Sequence, residues 1–134
     1  MNIISKNSIT LNGKKVLFAD VVSILESNKT VTIIDTNGDI TNITDPKMMS
    51  KFKERLSEKA NFIYYENRYI NADLIKSLKL DVVMANKIFD VVVNFGNRTE
   101  RFSADNEPAA DTKLKEIKKL IKNYQLSNNA GLSK

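Results

Sequence analysis

The 134-residue chain contains no cysteine and no histidine. Without cysteine there is no disulfide and no thiol nucleophile, and without either residue the usual zinc ligand sets are gone. General acid–base chemistry loses its most frequent side chain. Only four glycines occur. They sit in turns or in the C-terminal tail, and none builds a phosphate-binding loop or flanks a serine in a nucleophile elbow. No apolar run approaches the roughly 18–20 residues of a membrane helix. The opening MNIISKNSITLNGKK lacks the charged start and apolar core of a secretory signal. A cytoplasmic protein without a membrane partner is therefore expected.

The acidic residues come singly, at turns or helix starts: Asp20, Asp35, Asp39, Asp45, Asp73 and Asp105. Capping and turn roles suit that placement better than a paired-carboxylate site. Asp35-Thr36-Asn37-Gly38-Asp39 has the flavour of a calcium loop, but not the register or the terminal glutamate of an EF-hand. A hairpin is the preferred reading there. No enzyme, no metal and no cofactor are expected.

What is present is ordinary globular usage: 42% hydrophobic and 28% charged residues. Lysine and arginine number 21 against 16 acidic residues, a net charge of +5. This mild bias admits a polyanionic partner without requiring one.

Asn12-Gly13 lies between two short apolar runs, 8–11 and 15–18, and signals a hairpin. Segments 21–25 and 30–35 are rich in β-branched residues, and Asn37-Gly38 turns the second into 40–44. Asp45-Pro46 opens a helix as cap and first residue, with Met48, Met49, Phe52 and Leu56 at helical spacing. That helix is expected to end near Lys59. Strands are predicted at 62–65, 68–71, 74–80, 88–95 and 99–103. Residues 106–110 read as a loop, and Asp111 as the start of a last helix. Leu114, Ile117, Leu120, Ile121 and Tyr124 form its apolar stripe, and most of its lysines form a solvated face.

Two halves repeat weakly. ADVVSIL (19–25) parallels ADLIKSL (72–78), and VTIIDTNGDIT parallels FDVVVNFGNRT. The fold class is α+β, with antiparallel β strands in two weakly repeated halves, each ending in an amphipathic helix. One β-rich domain is expected over 1–126, with repeats at about 8–60 and 62–125 and a disordered tail at 127–134.

The stretch FIYYENRYINADLIKSL (62–78) packs four aromatics into eight residues. In alternating strands Phe62 and Tyr64 face one side while Ile63 and Tyr65 face the other. One side belongs to a core. The other brings a tyrosine hydroxyl, with Asn67 and Arg68 from the next turn, to the surface. Asparagine reads adenine edges, and arginine reads guanine or phosphate. A plain strand edge with a polar turn competes with that reading.

The order of elements, over roughly 14–122, resembles the LytTR family of DNA-binding domains found in bacterial response regulators. LFADVVSILESNKTVTIIDTNG follows the family's early strand pattern, with Glu26-Ser27 at its Glu-Ser. MMSKFKERL matches its first helix. NFIYYENRYINADLIKSL keeps Phe62, Asn67, Tyr69, Asn71 and Ile75 of its most distinctive segment, and VVVNFGNRTERFS matches its final hairpin. Glu66 stands where the family has histidine, Tyr64 where it has an early arginine, and Ala104-Asp105 where arginine is usual.

The resemblance implies DNA contacts from three loops. By position these are Asn28 and Lys29, then Asn67 and Arg68, then the segment after Ser103. The full candidate DNA-binding set is Asn28, Lys29, Tyr65, Asn67, Arg68, Arg98, Arg101 and Lys113. The expected function is non-enzymatic DNA binding, as a transcriptional regulator without a receiver domain. The alternative is a structural or protein-interaction module, such as a phage or mobile-element accessory protein, with a homo-oligomer or protein partner. A third reading is a single-strand binder stacking bases on Tyr64 and Tyr65.

Overall fold

The computed structural model describes residues 2–132. Its strands are all antiparallel and form three sheets, accompanied by two α-helices, which confirms the α+β class. The chain divides into two compact units, Met1–Asn71 and Ala72–Lys134.

The first unit opens with β1 (Ile3–Ile4), β2 (Ser8–Leu11) and β3 (Lys14–Leu17), a sheet in the order β1-β2-β3. The β2–β3 turn is the expected Asn12-Gly13, with φ of 52° and 83°. Both values are left-handed, as a two-residue hairpin turn of this twist requires. A 3-10 turn at Phe18–Asp20 leads into β4 (Val21–Glu26), β5 (Val31–Asp35) and β6 (Ile40–Ile43). Helix α1 (Pro46–Ser57) follows, then β7 (Phe62–Tyr65) and β8 (Arg68–Asn71). The second sheet runs β6-β5-β4-β8-β7.

A register shift between Val21 and Ser23 inserts one extra residue in β4. Side chains along a regular strand alternate, so residues three apart face opposite ways. The bulge resets that count, and Val21 and Ile24 both enter the core cluster. Asp35 Oδ1 accepts from the backbone N–H of Asn37 and Asp39 at 2.9 and 3.0 Å. The aspartate-rich segment is thus the β5–β6 hairpin, its buried carboxylate occupied by turn amides.

Helix α1 begins as its sequence dictates, with the Asp45 carboxylate accepting from Met48 N–H at 3.2 Å and Pro46 in the first turn. It buries Phe52 and Leu56 against the strands. Phe52 stacks on Phe18 with ring centroids 5.7 Å apart, and Phe18 meets Phe62 edge-on at 6.5 Å. Lys59 Nζ lies 4.7 Å over the Phe18 ring.

Asn71, only 1% exposed, closes the first unit. Its Nδ2 donates to Val21 O at 2.9 Å, and its Oδ1 accepts from Asn61 Nδ2 at 3.0 Å. An alanine here leaves a buried carbonyl without its donor. Asn71→Ala is expected to lower the stability of the first unit by about 1–3 kcal/mol in denaturant unfolding. An unchanged midpoint and slope would refute the claim that this amide ties β8 to the start of β4.

The second unit starts with a 3-10 turn at Ala72–Leu74, the counterpart of Phe18–Asp20 in the repeated Ala-Asp segment. Strands β9 (Ser77–Val83), β10 (Ile88–Asn94) and β11 (Thr99–Ser103) form a sheet in the order β11-β10-β9. The predicted strand at 74–80 therefore begins three residues later, because the 3-10 turn takes Leu74. Each half contains a three-strand meander followed by a helix, as the repeat implies.

Helix α2 (Glu107–Leu132) packs on β9 and β10 and buries Ala110 and Ile117. It starts four residues before the expected Asp111. Asn106 Oδ1 accepts from Ala109 N–H at 2.8 Å and caps it. Residues 106–110 are the expected loop, but Pro108 fits the first helical turn, where its missing N–H has no helical partner. The helix backbone runs into the segment expected as a tail, and residues 133–134 lie outside the described residues. Lys115, Lys118, Lys119 and Lys122 are exposed.

Tyr124 on α2 donates its hydroxyl to Asp73 Oδ1 at 2.5 Å. That hydrogen bond, then burial, pushes the phenol up from 10.0 to about 12. The folded pKa lies above the unfolded one, so the contribution is complete below pH 10. It disappears as pH rises through 10 toward 12. Tyr124→Phe is expected to cost about 0.5–1 kcal/mol at neutral pH, small because the pair is solvent-exposed. The gap between wild type and variant should close between pH 10 and 12 in chemical denaturation; a constant gap contradicts the assigned bond.

Candidate nucleic-acid interface

The β7–β8 hairpin is closed by the pair Tyr65 and Arg68, which leaves Glu66-Asn67 as a two-residue loop. Their φ values are 49° and 62°. Asparagine tolerates this left-handed region, but glutamate takes it rarely and at some cost. The sequence carries no glycine here, so the turn type was hidden.

Strand β4 lies beside β8, with Leu25 opposite Arg68. One step further, Glu26 N–H donates to Asn67 O at 3.1 Å. Beyond Glu26 the chain turns at once, as Ser27 N–H and Oγ both donate to Thr30 O, at 3.0 and 3.1 Å. Two turns some 40 residues apart in sequence thus meet at one end of the five-stranded sheet. Asn28, Lys29 and Asn67 are exposed there, and Tyr65 and Arg68 are half-buried.

The aromatic stretch is divided by position along the strand as well as by face. Phe62 and Ile63 are both buried, so both faces are covered at the start of β7. Exposure comes at its end, where Tyr64 is 48% exposed. Tyr64 pairs with Tyr69 across the hairpin, ring centroids 4.8 Å apart. The Tyr64 hydroxyl donates to Asn67 Oδ1 at 3.0 Å.

Lys53 of α1 forms an ion pair with Glu26 beside these rings. The hydrogen bond to Glu26 raises the Lys53 pKa. Burial, then the Glu26 charge, raises that of Tyr69. The sheet end carries Lys29, Lys53 and Arg68 against Glu26 and Glu66, a net charge of one positive.

The remaining candidates belong to the second unit, where Arg101 and Lys113 have local partners. Arg101 Nη1 meets Asp81 Oδ2 at 2.8 Å and Asp90 Oδ2 at 3.1 Å, and these two carboxylates raise its pKa. Lys113 Nζ donates to Ser103 O at 2.7 Å, tying α2 to the end of β11. Arg98 is half-buried, and its Nε is enclosed without a hydrogen-bond partner among the described residues.

Among solved structures, the chain is similar to a LytTr DNA-binding domain from Bacillus cereus. The match covers 82% of this chain and 97% of that one, at 20% identity and a TM-score of 0.48. It is the same family that the sequence segments resemble. No family model matches the chain, and no curated protein does.

Three residues of the sheet end escaped the sequence reading: Glu26 as a partner of Lys53, Lys53 itself, and Tyr69 as the ring beneath Tyr64. The Tyr64–Tyr69 pair was recoverable. Once 66–67 is read as a two-residue loop, residues 64 and 69 must face each other. The Lys53–Glu26 pair depends on how α1 docks on the sheet, which no local pattern encodes.

Proposed function

We propose that the chain is a non-enzymatic DNA-binding protein that acts as a transcriptional regulator, and that turns 27–30 and 65–68 form its contact surface. The observation that carries this reading is the hydrogen bond from Glu26 N–H to Asn67 O. It joins the two turns that the LytTR-like segments single out, the turns that carry Asn28, Lys29, Asn67 and Arg68. Amide, ammonium and guanidinium groups at one sheet end are the donors that phosphates and base edges accept from. The overall charge of +5 favours a polyanion.

The alternative, a protein-interaction module, has one observation in its favour. Ile40 is 61% exposed on β6, an edge strand of the five-stranded sheet. Exposed edges pair readily with other chains.

Fluorescence-anisotropy titration with random duplex and single-stranded DNA over a salt series separates the readings. Duplex binding that weakens steeply with salt supports the proposal. Tighter binding to single strands favours the stacking reading on tyrosine. No binding to either form at low salt rejects a nucleic-acid role and leaves the interaction module.

A further inference from the structure

The proposed contact surface contains an asparagine whose orientation is fixed before any ligand arrives. Three features hold Asn67. Its backbone sits in the left-handed region at φ 62°. Its carbonyl accepts from Glu26 N–H at 3.1 Å, which fastens the turn to β4. Its side-chain oxygen accepts from the Tyr64 hydroxyl at 3.0 Å. Tyr64 is itself steadied by its ring contact with Tyr69 at 4.8 Å.

An amide group has an acceptor end and a donor end. With one Oδ1 lone pair engaged by Tyr64, the amide offers a ligand two N–H donors on Nδ2 against a single remaining acceptor site. An asparagine that reads adenine bidentately must offer both an acceptor and a donor. The amide held by Tyr64 is biased toward partners that only accept, namely guanine O6 and N7 in the major groove or a phosphate oxygen.

We infer that Tyr64 is a positioning residue for DNA recognition: its hydroxyl locks the Asn67 amide so that Nδ2 is presented as a donor to a hydrogen-bond acceptor of the duplex. This rests on the DNA-binding reading above. It accounts for a tyrosine at the position where the resembling family has an early arginine. The side chain acts on DNA through its neighbour and contributes no charge.

The test is a double-mutant cycle on the full chain, with wild type, Tyr64→Phe, Asn67→Ala and the double variant titrated against random duplex DNA. Tyr64→Phe keeps the ring and removes only the exposed hydroxyl. It is expected to weaken binding about 3- to 10-fold, the usual worth of one hydrogen bond. The salt slope should stay unchanged, since no charge is altered. In the Asn67→Ala background the Tyr64→Phe effect should vanish.

A loss of equal size in both backgrounds overturns the inference, because it marks Tyr64 as a packing residue. So does Tyr64→Phe binding that equals wild type, and in both cases the DNA reading stands. If wild type binds no duplex at all, the DNA reading fails and the inference falls with it. Repeating the cycle with 7-deazaguanine in the duplex tests guanine N7 as the acceptor. Coupling that disappears assigns Asn67 to guanine N7, and coupling that persists assigns it to another acceptor, guanine O6 or a phosphate oxygen; each result supports the positioning role.

Discussion

Phe52→Ala is expected to lower the stability of the first unit by about 3–5 kcal/mol, the usual range for a large aromatic removed from a core. Phe52 is fully buried, and its ring lies nearly parallel to that of Phe18, at 14°. Its place cannot refill easily. Phe18 is held by Phe62 on another side, and Val21, Ile24 and Ile33 stand on paired strands whose spacing is set by backbone hydrogen bonds. Proteins of this kind have about 5–15 kcal/mol of net stability, so the loss is a large fraction of the whole. Phe52→Leu keeps much of the volume and should cost markedly less. Urea unfolding of both variants checks this; equal midpoints for Phe52→Ala and wild type contradict the core assignment.

The second large effect concerns binding. Lys29→Ala combined with Arg68→Ala is expected to weaken duplex DNA binding about 10- to 100-fold near 0.1 M salt, and to reduce the salt slope by about 2. Each cation that neutralises a phosphate releases close to one counterion, so removing two of them changes affinity and slope together. Arg101→Ala provides the contrast. Its guanidinium is already shared by Asp81 and Asp90, so its loss should leave the slope nearly unchanged while loosening the second unit. If Arg101→Ala reduces the slope and the double variant does not, the contact surface has been placed on the wrong unit.

Much of the fold was legible because the chain marks its local structure chemically. Asn12-Gly13 and Asn37-Gly38 announced their hairpins, and Asp45-Pro46 announced α1. The β-branched runs announced the strands of both meanders. The places that misled have identifiable causes. Pro108 breaks helices in their interior but suits their first turn, and only the Asn106 cap shows which applies. Leu74 looks like strand, but the Ala-Asp step before it makes a 3-10 turn, as it does at Asp20. The bulge at Val22 leaves no mark in sequence.

The candidate site was legible in part for the same reason. Asn28, Lys29, Asn67 and Arg68 stand out as polar turn residues beside apolar strands. Their meeting at one sheet end follows from β4 pairing with β8, a long-range choice that no single segment reveals. The cations of the second unit were equally conspicuous, yet Arg101 and Lys113 are tied to oxygens of their own unit. Charge in a sequence does not show whether a neighbour has already claimed it.

The most direct test of the central claim is amide chemical-shift mapping of the isotope-labelled chain titrated with random duplex DNA at low salt. The largest shifts are expected on residues 27–30 and 65–68, with the side-chain amide of Asn67 among them. Shifts confined to the exposed lysines of α2, or a spectrum that does not change at all, would contradict that claim.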